Sequence, residues 1–253
     1  MAYKKDVISI RNGDILEITK SKRLPIKNRL RNIKINTTSE QQEKRNIKYA
    51  TNLLRLLLLQ NFTENDLYCT LTYDKSVTGE ESKKHLSNFR KRLQRLAKKL
   101  NIEVKYIAVT EIGGTNKIHH HIIINSSKNI IKVSHIRELW KSGFVKIKLY
   151  GGTLQDSESL ANYFIKKNRN AFYVLPNIYK KRWNSSQNLQ KPQRSTAIIH
   201  HKTWRTQPQI KKGYYLDTHS IINGFYEFDS GIEYEYQFYR LIRIKPPISK
   251  QCL

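Results

Sequence analysis

The sequence predicts an α+β protein built on an antiparallel sheet with helices packed on one face. Three observations carry that prediction. Hydrophobic residues switch between helical and alternating spacing in the order helix, then β-α-β-β-α-β-α. A glycine turn, Gly113-Gly114-Thr115-Asn116, joins two of the strand-like runs as a hairpin. The chain has 253 residues, 38% of them hydrophobic, enough to bury a real core.

The elements can be justified in turn. Residues 1–37 are basic with few helix signals and read as an irregular or weakly β arm. Thr38 and Ser39 are N-cap candidates, with Gln41 or Gln42 three residues on. The helix behind them runs to about Gln60, with Ile47, Ala50, Leu53, Leu54, Leu57 and Leu58 at helical spacing. Leu67–Tyr73 alternates and is rich in β formers, so it is a strand, and Cys69 within it is a small core residue. Thr78-Gly79-Glu80-Glu81 has the form of a capping box. The helix after it aligns Leu86, Phe89, Leu93, Leu96 and Leu100 on one face. Two strands follow, Tyr106–Glu111 and Ile118–Asn125. Ser134–Lys141 reads as a short helix capped by Ser134, and Phe144–Tyr150 as a strand ended by Gly151-Gly152. Ser157 or Ser159 then opens a helix carrying Leu160, Ala161, Phe164 and Ile165.

Charge narrows the partner class. Lys plus Arg is 47 and Asp plus Glu is 20, a net charge of +27. Such an excess points to a polyanion, because clustered cations displace counterions from phosphates. It is not spread evenly. The helix of residues 83–99 has no acid between Ser82 and Leu100, which makes Arg90, Lys91, Arg95 and Lys98 candidate phosphate contacts. Residues 159–216 hold twelve Lys or Arg and no acid, adding Arg169, Lys180, Lys181 and Arg182 as candidates. Residues 213–239 reverse the sign, with five acids, no Lys or Arg, and nine Phe or Tyr. This stretch reads as a small β unit packed on the domain, or as a surface for a partner. The divisions are a basic arm at 1–37, a main domain at 38–190 and an aromatic, acidic extension at 191–253.

Other features bound the setting. Two cysteines, Cys69 and Cys252, make no disulfide framework. The N-terminus lacks the apolar stretch of a signal peptide, and the longest apolar run, Leu56–Leu59, cannot span a bilayer. The reading is cytoplasmic, with no membrane partner. No Gly-x-x-x-x-Gly-Lys-Ser/Thr sequence occurs, so unwinding is expected from another protein.

The chemistry concentrates in two places. In Ile118-His119-His120-His121-Ile122, His119 and His121 project from one face of a strand, while His120 points away as a structural or DNA-facing residue. Glu111 lies on the partner strand. Two imidazoles and one carboxylate can hold a divalent ion and leave coordination positions open for a substrate. The second place is Asn162-Tyr163-Phe164-Ile165-Lys166-Lys167, where Tyr163 shares a helix face with Lys166 and Lys167. A tyrosine hydroxyl is a weak nucleophile until a nearby cation favours the phenolate.

These elements together resemble the HUH endonucleases, and within them the single-tyrosine rolling-circle replication initiators of Gram-positive plasmids, phages and integrative elements. Leu67–Asp74 resembles the first motif of that family. Glu111 with Ile118–Ile122 resembles the second, metal-binding motif, and Tyr163–Lys166 the third, nucleophile motif. Asn61-Phe62, Leu139-Trp140-Lys141-x-Gly143 and the run Arg182–Pro192 also fit the subgroup. The resemblance covers roughly residues 38–192 and departs from the pattern at His120, where an apolar residue is usual. It implies an HUH, ferredoxin-like (RRM-like) sheet with an added N-terminal helix and a small C-terminal extension. It implies Mg²⁺ or Mn²⁺ on His119, His121 and Glu111. Tyr163 would be the nucleophile, with Lys166 or Lys167 stabilising charge, and Thr70 and Thr72 would support the sheet. The implied substrate is single-stranded or hairpin origin DNA, nicked and rejoined through a 5′-phosphotyrosine, with a host helicase and polymerase as partners. Alternatives are a non-catalytic nucleic-acid-binding regulator, an HUH-type transposase or relaxase acting in DNA transfer, and a non-haem Fe(II) oxygenase with the same donor set.

Overall fold

The computed structural model describes residues 2–22, 40–113, 117–126, 129–227 and 233–244. The cap candidates Thr38 and Ser39, most of the 113–116 turn, and Cys252 lie outside them. The chain divides into two compact units, Thr38–Lys191 and a second formed by Met1–Thr37 with Pro192–Leu253.

The Thr38–Lys191 unit is α+β. Its antiparallel sheet runs in the order β6-β3-β5-β4-β7, made of Val145–Leu149, Leu67–Leu71, Ile118–Ile124, Tyr106–Ile112 and Asn184–Ser185. Four helices accompany it: α1 (Glu40–Asn61), α2 (Gly79–Lys99), α3 (Val133–Leu139) and α4 (Leu154–Val174). The helices pack on both faces of the sheet, which corrects the expectation of one covered face. Leu86, Phe89 and Leu93 of α2 and Ile136 of α3 pack with Cys69, Ala108, Ile122 and Ile124. Ala50, Leu54 and Leu58 of α1 and Leu160, Phe164 and Ile165 of α4 pack on the other side, with Ile107, Val109 and Ile123. The reason lies in β4 and β5. Tyr106–Val109 and Ile122–Ile124 are buried without interruption, and a strand apolar on both sides needs cover on both.

Local chemistry sets the helix starts. Thr78 and Glu81 form the capping box, with Thr78 N–H donating to Glu81 Oε2 at 2.8 Å and Glu81 N–H to Thr78 Oγ1 at 3.3 Å. Helix α4 starts earlier than Ser157 or Ser159. Thr153 and Asp156 form a second capping box there. Ser157 is instead buried, donating to Thr153 O at 2.9 Å and bonding the Tyr150 hydroxyl at 2.6 Å.

Gly143 fixes β6 against β3. Its φ is +150°, and a Cβ there would run into Thr72 O and sit 2.7 Å from Asp74 N. The Trp140 indole donates to the same Thr72 O at 2.8 Å. Gly143→Ala is expected to cost about 2 kcal/mol or more through strain and displacement of this loop. Urea unfolding at pH 7 measures it, and an unchanged midpoint would contradict the packing described.

The second unit corrects the reading of both termini. Tyr3–Ile10 (β1) and Ile15–Lys22 (β2) form a regular hairpin, not an irregular arm. Gln193–Ile199 (β8), Tyr214–Glu227 (β9) and Glu233–Arg243 (β10) join them in a five-stranded antiparallel sheet ordered β8-β1-β2-β10-β9. The C-terminal segment is therefore half of a sheet shared with the N-terminus, not a small separate extension. Leu16, Ile18, Tyr239 and Leu241 form its buried cluster. Glu17, almost fully buried, accepts from Arg240 Nε at 2.8 Å, and Lys20 donates to Gln237 Oε1 at 2.9 Å. These pairs tie the two ends of the chain by satisfied polar contacts.

Candidate active site

Alternation on β4 and β5 sends Glu111, His119 and His121 to the face covered by α1 and α4. Glu111 and His119 are directly opposite in the pairing register, while His121 faces Val109 on β4 and Thr70 on β3. The structure joins His121 and Glu111: Nε2 and Oε2 are 2.7 Å apart. The other Glu111 oxygen accepts from Lys167 Nζ of α4, also at 2.7 Å. His119 is half-buried at the end of this row and lines a neighbouring groove with Tyr73 and Asp74. Among the described residues, no three or more His, Cys, Asp or Glu side chains are gathered as a metal cluster.

The His121 ring is held from behind. Tyr68 Oη lies 3.1 Å and Thr70 Oγ1 3.3 Å from its Nδ1. Since the Glu111 carboxylate only accepts, Nε2 carries the proton and Nδ1 receives the hydroxyls. Burial holds the His121 pKa below the ordinary imidazole value, although the bond to Glu111 opposes it. Burial pushes Glu111 upward, but the bonds from His121 and Lys167 together outweigh it and hold the carboxyl below its usual range. The bond to Glu111 raises the Lys167 pKa. The result is a neutral imidazole beside an ion pair.

Tyr163 completes the arrangement. Its ring meets His121 edge-on at 5.2 Å, and Lys167 Nζ lies 5.4 Å from its centroid. Tyr68 is 6.4 Å away, also edge-on, and is hydrogen-bonded to it. Tyr163 is 37% exposed, so its hydroxyl can be reached from outside. It borders an open groove of about 510 Å³ that also takes in Tyr68, Thr70, Lys146 and Lys148. Burial first, and Tyr163 beside it, raise the Tyr68 pKa, so Tyr68 stays protonated and available as a donor.

The other candidates are placed as follows. Lys166 is exposed on α4 and does not join the Glu111 group. Lys91, Arg95 and Lys98 are exposed on α2, and Arg90 is half-buried, with its Nε buried and unpartnered. The sheet separates α2 from Tyr163. Arg169, Lys180 and Lys181 are exposed. Arg182 stacks on Phe172, 4.5 Å from the ring centre, and donates to the Tyr173 hydroxyl at 3.0 Å. Sequence reasoning missed Tyr68, Lys146 and Lys148. The signal for the lysines was the alternation in Val145-Lys146-Ile147-Lys148. For Tyr68 the parity it shares with Thr70 was visible, but the partner strand was not.

His120 is a structural residue. It is fully buried on the opposite face, 2.8 Å from the Tyr73 hydroxyl and 3.0 Å from Thr110 Oγ1. Burial, then the neighbouring histidines, lower its pKa from 6.5 to about 3. The folded protein thus refuses a proton that the unfolded chain accepts. Above pH 6.5 the residue contributes no pH dependence, and stability falls as pH drops from 6.5 toward about 3. The loss expected from this residue between pH 7 and pH 5 is about 2 kcal/mol. Urea unfolding of the wild type and His120→Gln at both pH values tests it. The variant should start less stable but lose less on acidification, and equal acid losses would contradict the assignment.

Comparison with known proteins bears on this same stretch. Residues 66–170 match the family model for replication-associated proteins of the ORF2 kind. The match takes in β3, β4, β5 and most of α4, and so Glu111, His119, His121, Tyr163 and Lys167. This part of the chain is therefore similar to replication-associated proteins, which supports a role in starting replication. A solved structure, the hypothetical protein ORF119 from Sulfolobus islandicus rod-shaped virus 1, shares 17% identity. That alignment covers 48% of this chain and 93% of the other, with a TM-score of 0.33. No curated protein matches the chain significantly. Among the described residues, no helix is long and apolar enough to cross a membrane.

Proposed function

We propose that this protein initiates rolling-circle replication by nicking and rejoining single-stranded origin DNA through Tyr163. One observation carries the reading: Tyr163 lies on a polar chain of Lys167, Glu111 and His121, on an accessible sheet face within the replication-associated segment.

The step is an in-line displacement at phosphorus. Tyr163 Oη forms the new bond and its proton passes to solvent. The bond from phosphorus to the 3′ oxygen breaks, and that oxygen leaves as a hydroxyl after taking a proton. The product is a 5′-phosphotyrosine. Attack by a later 3′-hydroxyl reverses the step, and the retained ester energy makes ATP unnecessary. Lys167 and Glu111 hold each other in place beneath the tyrosine ring, and Lys167 adds positive charge where phenolate and phosphate meet. Tyr68 and Thr70 orient His121.

His121, His119 and Glu111 have the donor chemistry for Mg²⁺ or Mn²⁺. Hydroxyls behind His121 Nδ1 aim its Nε2 at Glu111, the kind of support a ligating histidine has. A divalent ion bound there would supply Lewis-acid polarisation of the phosphate. The test is covalent capture. The full chain is incubated with a labelled single-stranded oligonucleotide carrying the origin and with Mn²⁺, then run under denaturing conditions. The expected result is labelled DNA migrating with the protein. Unattached products with two free ends would overturn the reading.

A further inference from the structure

We propose that the uncovered side of β6 is a docking track for single-stranded DNA, with Phe144 stacking on a base and Lys146 and Lys148 receiving phosphates. The inference rests on the nicking reading and deepens it. Strand β6 is an edge of its sheet. Val145 and Ile147 turn toward the α2 side, where they pack against the core. Lys146 and Lys148 alternate with them and are exposed on the other side. In register they stand beside Thr70 and Tyr68, and with them they border the groove that reaches Tyr163.

Phe144 extends the same row. Its carbonyl accepts from Thr72 N–H at 2.9 Å, so pairing with the β3 segment continues past the strand. Alternation places its side chain with the two lysines, and it is 74% exposed. An apolar ring left in water beside two cations is costly for a merely solvated edge. It matches what an unpaired strand offers, which is bases to stack and a phosphate every nucleotide. A duplex hides its base faces and cannot use Phe144. One acid borders the groove, Asp156, but its carboxylate is engaged by Thr153, at 3.0 Å from N and 2.6 Å from Oγ1.

The test is fluorescence anisotropy with the full chain in chelator, so that no cleavage intervenes. The probes are a labelled single-stranded oligonucleotide and the same sequence as a duplex. Phe144→Ala is expected to weaken single-strand binding by about 5- to 100-fold and duplex binding by no more than about 2-fold. Phe144→Trp should retain the affinity, which separates stacking from misfolding. Lys146→Ala with Lys148→Ala should reduce the slope of log affinity against log salt by about 1.4. Unchanged single-strand affinity and slope, or equal losses on both probes, overturn the proposal. If those variants bind normally while the wild type still forms the covalent adduct, the docking track fails and the nicking reading stands. If the wild type neither binds single strands nor forms the adduct, both fail.

Discussion

Replacing Tyr163 with phenylalanine is expected to abolish covalent attachment of DNA and to lower nicking by on the order of 10³-fold or more. The change removes one oxygen. It keeps the ring that meets His121 at 5.2 Å and Tyr68 at 6.4 Å, so packing of α4 should be undisturbed. The tyrosine is also partly exposed, so stability should change by less than about 1 kcal/mol. DNA binding should persist, because the exposed lysines around the groove are untouched. The measurement is initial nicking rate on origin single strand, with anisotropy as the binding control. A variant that binds and nicks at the wild-type rate would remove Tyr163 from the chemistry.

Changing His121 to alanine is expected to reduce Mn²⁺-supported cleavage by at least about 10²-fold and leave DNA affinity within about 3-fold. Two consequences separate this from simple loss of fold. Tyr68 and Thr70 lose the acceptor they share, and Glu111 keeps only Lys167. Because His121 is buried, the variant should lose about 2 kcal/mol in urea unfolding while remaining folded at 25 °C. Mn²⁺ binding followed by calorimetry should weaken in parallel with cleavage. His119→Ala should show the same loss of ion and of rate, with a smaller stability cost, since His119 is only half-buried. Normal Mn²⁺-dependent cleavage by either variant would contradict the ligand assignment.

What the sequence made legible was mostly local. The Thr78–Glu81 capping box, the α2 stripe and the alternation of His119 and His121 depend on residues within a few positions of each other. The partners that give the site its geometry are not local. Tyr68 reaches His121 only because β3 pairs with β5 across some fifty residues, and no nearby residue announces that register. The two-sided cover was readable in principle, since Tyr106–Val109 and Ile122–Ile124 are apolar at successive positions. Alternating expectations led instead to one helix-bearing face. The terminal sheet was the hardest part. Strands β1 and β2 are short and basic, and their burial comes from β8 and β10, nearly the whole chain away. At α4, two serines drew attention from Thr153, whose partner Asp156 carries the stronger start signal.

The central claim is a covalent bond between Tyr163 and the 5′ end of cut DNA. Peptide mass spectrometry of the reacted full chain tests it most directly, after nuclease trimming of the bound strand. The account predicts a nucleotide phosphate on the peptide containing Tyr163, attached through the phenolic oxygen. Adduct on another residue, or cleaved DNA with every Tyr163 peptide unmodified, would contradict it.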